Sequence, residues 1–332
     1  MDALKRFGWP GSAGAAQRLA CTLAWLLAVW AGAACAGEVR TSSFRSDALQ
    51  DTVHYTLLLP EGYDSQGPRY PVLYLLHGHG GSEHDWLRHG RLQATVDELI
   101  TSRAVPPFIV VMPGGGKHWW VDSAAARAQT ALVHDLVQEV DARWHTLPRR
   151  EGRMIAGLSA GGFGALMAAL RHPDRYSAAA VLSPAIYVPE PPADSAARTV
   201  PAFQRHGQFD AGAWQALNYP AWWDAYRRQP HQVALYIHSG DHDHLGIAWQ
   251  SALLFQRVVA HQPQAVALRI SDGGHEWAVW QRALPEAIRF LFEHRLPKRQ
   301  PRHARRNADA NCGRSIQLGA PGRILAKGHC RS

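Results

Sequence analysis

The chain has 332 residues, of which 46% are hydrophobic and 19% are charged, and it carries a net charge of +8. This balance is typical of a globular, enzyme-sized protein and excludes a disordered chain or a small disulfide-rich scaffold. The whole charge excess lies in residues 298–332, which hold nine Lys or Arg and one Asp. The nearly neutral remainder lacks the broad basic face that nucleic-acid binding requires, so no nucleic-acid partner is expected.

Residues 1–36 have the pattern of an export signal. Three basic residues precede or begin an apolar run over residues 19–33, and Ala34-Cys35-Ala36 is a small-x-small cleavage pattern. We predict cleavage after Ala36 and a periplasmic or secreted mature protein. An uncleaved membrane anchor is the alternative. No second stretch reaches membrane length, so no stable membrane insertion is expected after cleavage.

Apolar runs alternate with amphipathic stretches through residues 37–297, which we interpret as one domain. The predicted strands are Tyr55–Leu59, Val72–Leu76, Phe108–Met112, Arg153–Leu158, Ala178–Leu182, Val233–His238 and Val266–Ile270. The predicted helices are Ala131–Trp144, Gly162–Arg171, Ile247–Val259 and Trp277–His294, the last with a kink or restart at Pro285. This alternation predicts an α/β fold with a mainly parallel sheet flanked by helices.

Two segments depart from this alternation. Residues 187–229 are rich in proline and aromatic residues, and their length favours a cap-like insertion over a structureless loop. Residues 298–332 are basic and without sustained apolar periodicity, which predicts a disordered tail. Cys312 and Cys330 lie in this tail and the other two cysteines lie in the export signal, so thiol catalysis is excluded from the body. Whether the two tail cysteines pair is open.

Gly157-Leu158-Ser159-Ala160-Gly161 fits the pattern G-x-S-x-G. The pattern alone is weak evidence, but here it joins a predicted strand to a predicted helix, which is the context that the motif needs. Glycines on both sides permit the strained turn that exposes a serine hydroxyl. Ser159 is therefore the candidate nucleophile, and glycines required only for tight helix packing are the structural alternative.

A serine nucleophile needs a base, and the base needs an acid to orient it. In folds with this motif the chain order is serine, acid, histidine. Asp241 and Asp243 both follow the strand Val233–His238, and His275 follows the next strand at the start of the final helix. His275 is the candidate base. From position alone either aspartate serves as the acid, and either could instead cap its loop.

The segment Leu75–Gly81 reads LLHGHGG and ends a predicted strand. Glycine-rich loops at this place present backbone N–H groups to a developing oxyanion. We predict the N–H groups of His79 and Ala160 as the oxyanion donors and no role in that task for the side chain of His79.

The many histidines also permit a metallohydrolase. His77 and His79 could begin a zinc motif, but Gly81 and Ser82 stand where Asp-His would continue it. Residues 241–244 read Asp-His-Asp-His and offer further ligand types, although neighbouring side chains would have to converge from a loop. A non-catalytic binding protein that keeps the fold is a third alternative.

The chain resembles the putative-esterase family of α/β-hydrolases, which includes esterase D, feruloyl esterases and mycolyltransferases. The resemblance spans roughly residues 37–295 and is carried by LLHGHGGSEHDW (Leu75–Trp86), VVMPGGGKHWWVDS (Val110–Ser123), REGRMIAGLSAGGFGAL (Arg150–Leu166), HSGDHDHL (His238–Leu245) and GGHEWAVW (Gly273–Trp280). It implies an α/β-hydrolase fold and an acyl-serine mechanism without a cofactor. The family loop Gly-x-x-Asp-x-Leu matches Asp243, so the implied triad is Ser159, Asp243 and His275.

The sequence thus predicts a serine carboxylic-ester hydrolase for small or sugar- or phenolic-linked esters. Trp119 and Trp120 suggest an aromatic cleft, with core packing as the equal alternative. An acyltransferase would use the same triad and differ only in that a sugar or alcohol, rather than water, takes the acyl group from the serine.

Overall fold

Eight strands form one mixed sheet in the computed structural model, which describes residues 36–296. The strands are β1 (Glu38–Ser46), β2 (Asp51–Leu59), β3 (Val72–Leu76), β4 (Ile109–Pro113), β5 (Arg153–Leu158), β6 (Ala178–Leu182), a separate hairpin of β7 (Gln204–Arg205) and β8 (Gln208–Phe209), β9 (Ala234–Gly240) and β10 (Val266–Ser271). The strand order in the sheet is β1-β2-β4-β3-β5-β6-β9-β10. Strand β2 pairs antiparallel with β1 and β4, and the other pairs of the sheet are parallel, which confirms the predicted mainly parallel sheet.

Helices cover both faces of the sheet. They are α1 (Asp85–Arg88), α2 (Leu92–Thr101), α3 (Ala128–Thr130), a π-helical segment (Ala131–Asp135), α4 (Leu136–Arg143), α5 (Ala160–Arg171), α6 (Ala211–Leu217), α7 (Tyr219–Arg227), α8 (Ile247–Val259) and α9 (Trp277–His294). Short 3-10 turns lie at Arg150–Gly152, Ala196–Thr199 and Pro201–Phe203. Among residues 36–296, no helix combines the length and hydropathy that a membrane crossing needs.

The sheet separates two hydrophobic clusters. Strand β3 contributes Val72, Tyr74 and Leu76 to one cluster, together with α5 and α8, and Leu73 and Leu75 to the other, together with α2 and α9. Both faces of the strand are therefore buried. This is why an uninterrupted apolar run, rather than an alternating one, predicts a strand here.

The structure corrects several predicted elements. Strand β1 was not predicted, because its edge position leaves most of its polar residues exposed. Helix α2 was also missed, and the predicted helix Ala131–Trp144 contains the π-helical segment. Helix α9 does not restart at Pro285, since an apolar face that includes Val279 and Ile288 is buried along its length.

The insertion at residues 187–229 folds into the two later 3-10 turns, the β7–β8 hairpin, α6 and α7. Its Trp214 is fully buried and packs against Phe163 of α5 at 5.5 Å and Phe203 at 4.8 Å between ring centroids. The insertion thereby packs against the helix that follows Ser159. The predicted export signal up to residue 35 and the predicted tail lie outside the described residues.

Candidate active site

Ser159 lies on the sharp turn between β5 and α5. Its backbone has φ +53° and ψ −118°, a region that side-chain-bearing residues seldom occupy. The turn is possible only because its neighbours are small. A Cβ on Gly157 would lie 2.4 Å from the carbonyl oxygen of Gly161, and one on Gly161 would lie 2.4 Å from that of His77. The sequence motif therefore reflects a steric requirement for exposing the serine hydroxyl.

Ser159, His275 and Asp243 form one hydrogen-bonded chain. The Oγ of Ser159 lies 2.9 Å from Nε2 of His275, and Nδ1 of His275 lies 2.7 Å from Oδ2 of Asp243. The Asp243 side chain is fully buried, and its Oδ1 accepts a bond from the N–H of Leu245 at 3.1 Å. An ionised carboxylate only accepts, so Nδ1 of His275 carries the proton and Nε2 faces the serine with its lone pair. In this state the imidazole can take the serine proton.

The structure places Asp241 elsewhere. Its exposed carboxylate accepts bonds from the N–H of Gly273 at 3.1 Å and pairs with Nδ1 of His242 at 2.7 Å. Asp241 therefore stabilises the loop, while Asp243 contacts the imidazole. This is the arrangement that the family pattern implied and position in the chain alone left open.

The two predicted oxyanion donors lie next to the nucleophile: His79 lines the same cavity as Ser159, and Ala160 directly follows Ser159 in the chain. His79 follows Gly78, which is packed so closely that an added Cβ would lie 2.9 Å from the Leu158 side chain. Ala160 is the first residue of α5, where backbone N–H groups have no partner within the helix and the helix dipole is positive. Among the bonds of residues 36–296, neither the His79 nor the Ala160 N–H donates to a protein acceptor. Both N–H groups therefore lack a partner in this part of the chain, as the predicted role requires.

His77 holds in place the loop of residues 77–81, here called the oxyanion loop, which is a role that the sequence did not indicate. Its Nδ1 donates to the carbonyl of Gly78 at 2.6 Å, and its Nε2 accepts from the N–H of Gly115 at 2.8 Å. Burial lowers the pKa of His77, which favours this neutral form. A second bond, from the N–H of Gly80 to the carbonyl of Gly116 at 3.1 Å, joins the same two loops. In the sequence, His77 is marked only by its position directly after the apolar run of β3.

His275 is supported by an indole. The Trp280 ring packs edge to face with the imidazole at 5.1 Å between centroids, and its Nε1 donates to the Oγ of Ser183 at 3.1 Å. Ser183 is fully buried and has a positive φ of 41°. These contacts limit rotation of the imidazole, since the indole is itself fixed by a hydrogen bond. Trp280 lies one helical turn after the start of α9, a place from which sequence could have suggested contact with His275.

The cavity beside Ser159 has a volume of about 400 Å³. Its walls combine Ser159, His275 and the oxyanion loop with aromatic side chains and with the start of the insertion. Among the lining residues are Trp119, Leu158, Tyr187, Asp194, Ser195, Ala196, His244, Leu245, Trp277 and Trp280. Trp119 and Trp120 are both buried, and Trp119 faces this cavity while also packing in the core.

Of the residues of the metallohydrolase alternative, the structure brings Asp241 and His242 together but leaves His77 and His79 apart from them. Both ring nitrogens of His77 are hydrogen-bonded, to Gly78 and Gly115, and the Nδ1 of His79 accepts a bond from Trp119. Within residues 36–296, the side chains near enough to share an ion are Asp241, His242 and Asp272, all exposed. This group includes neither histidine of the loop.

A family model described as Putative esterase matches residues 46–291. A curated relative, the endo-1,4-beta-xylanase/feruloyl esterase of Xylanibacter ruminicola, is 31% identical over 163 residues, covering 46% of this chain and 22% of the relative. The alignments with the first three curated relatives span only 22% to 30% of those proteins.

Solved structures share the fold. A ferulic acid esterase matches with a TM-score of 0.65 at 24% identity, covering 78% of this chain and 98% of that chain. An S-formylglutathione hydrolase from Staphylococcus aureus matches with a TM-score of 0.61 at 19% identity, covering 78% and 100%. The expected α/β-hydrolase fold is confirmed.

Proposed function

The chain belongs to the putative-esterase family, and from this membership and the geometry at Ser159 we propose that it is a serine carboxylic-ester hydrolase. The observation that carries the proposal is the continuous chain of hydrogen bonds from Ser159 through His275 to the buried Asp243. A serine alcohol is a weak nucleophile unless a positioned base removes its proton, and this chain supplies both base and orienting acid.

The reaction takes place in two halves. Ser159 Oγ attacks the ester carbonyl while His275 Nε2 takes its proton, and the N–H groups of His79 and Ala160 stabilise the oxyanion. The imidazolium then protonates the departing alcohol, which leaves an acyl-serine. Water, deprotonated by His275, attacks the acyl carbon, and the proton returns to Ser159 as the acid departs. Asp243 keeps the imidazole in one orientation and stabilises its charged form throughout.

The substrates that we propose are small esters or esters linked to sugars or phenols. The aromatic side chains around the 400 Å³ cavity suit a flat or ring-shaped group next to the ester. Two of the similar proteins are named as ferulic acid or feruloyl esterases, which supports the phenolic class. No cofactor is needed for this chemistry.

The first test is a hydrolysis screen of nitrophenyl, acetyl-sugar and feruloyl esters with the purified protein. We expect Ser159→Ala to abolish hydrolysis and labelling by a fluorophosphonate probe, while Ser65→Ala at an exposed serine leaves both unchanged. Retained hydrolysis in folded Ser159→Ala would refute the mechanism. Adding alcohols and analysing the products separates hydrolysis from acyl transfer.

The proposal includes export to the periplasm or beyond, which rests on the apolar run and cleavage pattern of residues 1–36. N-terminal sequencing of the exported protein should give Gly37 as the first residue. A mature chain that still begins near Met1 would contradict the cleavage.

A further inference from the structure

The side chain of His79 is held in one tautomer by Trp119. The indole Nε1 of Trp119 lies 2.8 Å from Nδ1 of His79. An indole N–H can only donate, so Nδ1 of the imidazole is the acceptor and carries no proton. The neutral ring therefore has its proton on Nε2.

Trp119 is itself immobile. It is 3% exposed and packs against Phe163, Phe203 and Trp214 at centroid distances of 5.6 to 6.3 Å. Trp119 and Trp120 have positive φ values of 55° and 60°, two consecutive residues in a costly conformation. Strain of this kind persists where surrounding structure imposes it, and it concentrates at functional sites. The strained turn therefore holds the indole of Trp119 in position, and this indole in turn orients the His79 ring.

The Nε2–H of His79 is available to a ligand. The half-buried ring lines the cavity beside Ser159, and Nε2 has no hydrogen-bond partner among residues 36–296. Burial and the nearby Lys117 lower the pKa of His79, so the ring stays neutral around pH 7. Protonation would also put a second N–H against the indole N–H and break their bond. The cavity thus contains a fixed, uncharged N–H donor apart from the triad.

We propose that the side chain of His79 determines specificity by donating a hydrogen bond from Nε2 to an oxygen of the substrate other than the ester carbonyl. The ligand class is an ester that carries a hydroxyl, ether or ring oxygen close to the scissile bond, in its acyl part or in its alcohol part. Esters with only hydrocarbon at that place leave the donor without a partner and react less well. The inference rests on the proposed esterase function.

Matched ester pairs that differ in one oxygen test the proposal. One pair varies the acyl part, methyl 3-phenylpropionate against its ring-methoxylated analogue, and the other varies the alcohol, cyclohexyl acetate against tetrahydropyran-4-yl acetate. We expect the protein to favour the oxygenated member of at least one pair by roughly 3- to 10-fold in kcat/KM. His79→Phe should reduce that ratio to about one, and His79→Gln, whose amide nitrogen takes the place of Nε2, should retain most of it.

The ratio of the two members is unaffected by a general change in activity, so it isolates this contact. His231→Phe, at an exposed histidine, is the matched control and should keep the ratio of the unaltered protein. A ratio near one for both pairs in the unaltered protein, or an unchanged ratio in His79→Phe, would overturn the inference.

Two measurements remain decisive if no ester is hydrolysed. The ¹⁵N NMR shifts of the His79 ring should report a protonated Nε2 and an unprotonated Nδ1, and the opposite tautomer contradicts the inference. In Ser159→Ala, binding of the oxygenated ester should be tighter than that of its hydrocarbon partner and should lose this advantage on adding His79→Phe. Binding without hydrolysis by the unaltered protein would refute the esterase proposal alone.

Discussion

Asp243→Asn should reverse the direction of the hydrogen bonds around His275. In the structure, Oδ1 of Asp243 accepts from the backbone N–H of Leu245 at 3.1 Å, and Oδ2 accepts from Nδ1 of His275 at 2.7 Å. An amide keeps its oxygen toward the Leu245 N–H, because its nitrogen cannot accept that bond. The amide nitrogen then faces Nδ1 of the imidazole as a donor. His275 must respond by moving its proton to Nε2, which points at Ser159.

The cost of this change is large because the imidazole can no longer accept the serine proton. A histidine held in the wrong tautomer lowers kcat by about 10⁴-fold in a serine triad, which corresponds to about 5 kcal/mol in the activation barrier. The full burial of the Asp243 side chain leaves no room for water to restore the original pattern. Because the amide fits the same volume, the fold should be retained.

Nitrophenolate release from nitrophenyl acetate measures the effect, with the thermal unfolding midpoint as the check on folding. Asp241→Asn is the matched control, since that carboxylate is exposed and bonds to Gly273 and His242 instead. We expect the control to stay within about threefold of the unaltered protein. A folded Asp243→Asn that keeps more than a tenth of the activity, or an Asp241→Asn that loses as much as Asp243→Asn, would refute the assignment of the acid.

Three further changes test other parts of the site. Gly161→Ala brings a Cβ within 2.4 Å of a backbone carbonyl oxygen, so urea denaturation should show a loss of about 3 kcal/mol in the free energy of unfolding. Trp280→Phe keeps a ring beside His275 but loses the bond to Ser183, and kcat should fall about tenfold with a smaller change in KM. Burial lowers the pKa of His238 to about 4 from an ordinary 6.5, so the unfolded chain binds the proton more readily between these values. The contribution of His238 alone should therefore lower the free energy of unfolding, by up to about 3 kcal/mol, as pH drops from 6.5 to 4.

Each of these has its own control. Gly212→Ala, where the nearest atom to an added Cβ is a carboxylate oxygen at 3.2 Å, should leave stability within about 0.5 kcal/mol. Trp249→Phe alters an indole that is 67% exposed and should not change kcat. His238→Leu should lose the His238 share of the stability change between pH 6.5 and 4 and keep the share of His172, whose pKa burial also lowers to about 4. A variant that keeps the full change would refute the assignment to His238.

The buried strands could be predicted because both of their faces are covered. Val72–Leu76, Arg153–Leu158 and Ala178–Leu182 match the observed bounds of β3, β5 and β6. Edge strand β1 could not be found in this way, since only its pairing with β2 makes it a strand, and pairing across a hairpin leaves no apolar run. The helices of the insertion escaped because they are only seven and nine residues long, although Tyr219, Trp223 and Tyr226 share one buried face of α7 at positions i, i+4 and i+7.

The candidate site was predictable where backbone geometry restricts residue type. Glycines around Ser159 are required by a turn that leaves no room for a Cβ, so they are visible in the sequence. The contacts that orient the site are different in kind. The Trp119–His79 bond joins residues 40 positions apart in the chain, and the Trp280–Ser183 bond joins residues 97 positions apart. No local sequence pattern indicates which indole bonds to which acceptor.

The aromatic contact between Trp214 of the insertion and Phe163 of the nucleophile helix constrains how this scaffold can be redesigned. A segment exchanged at residues 187–229 to accept a new ester would replace one partner of a packed pair and leave the other beside Ser159 facing a void. Libraries that vary the insertion alone will therefore mix altered selectivity with a displaced nucleophile. Varying residue 163 together with the exchanged segment should separate altered selectivity from displacement of Ser159. Each exchanged segment can then be judged by the esters that it admits.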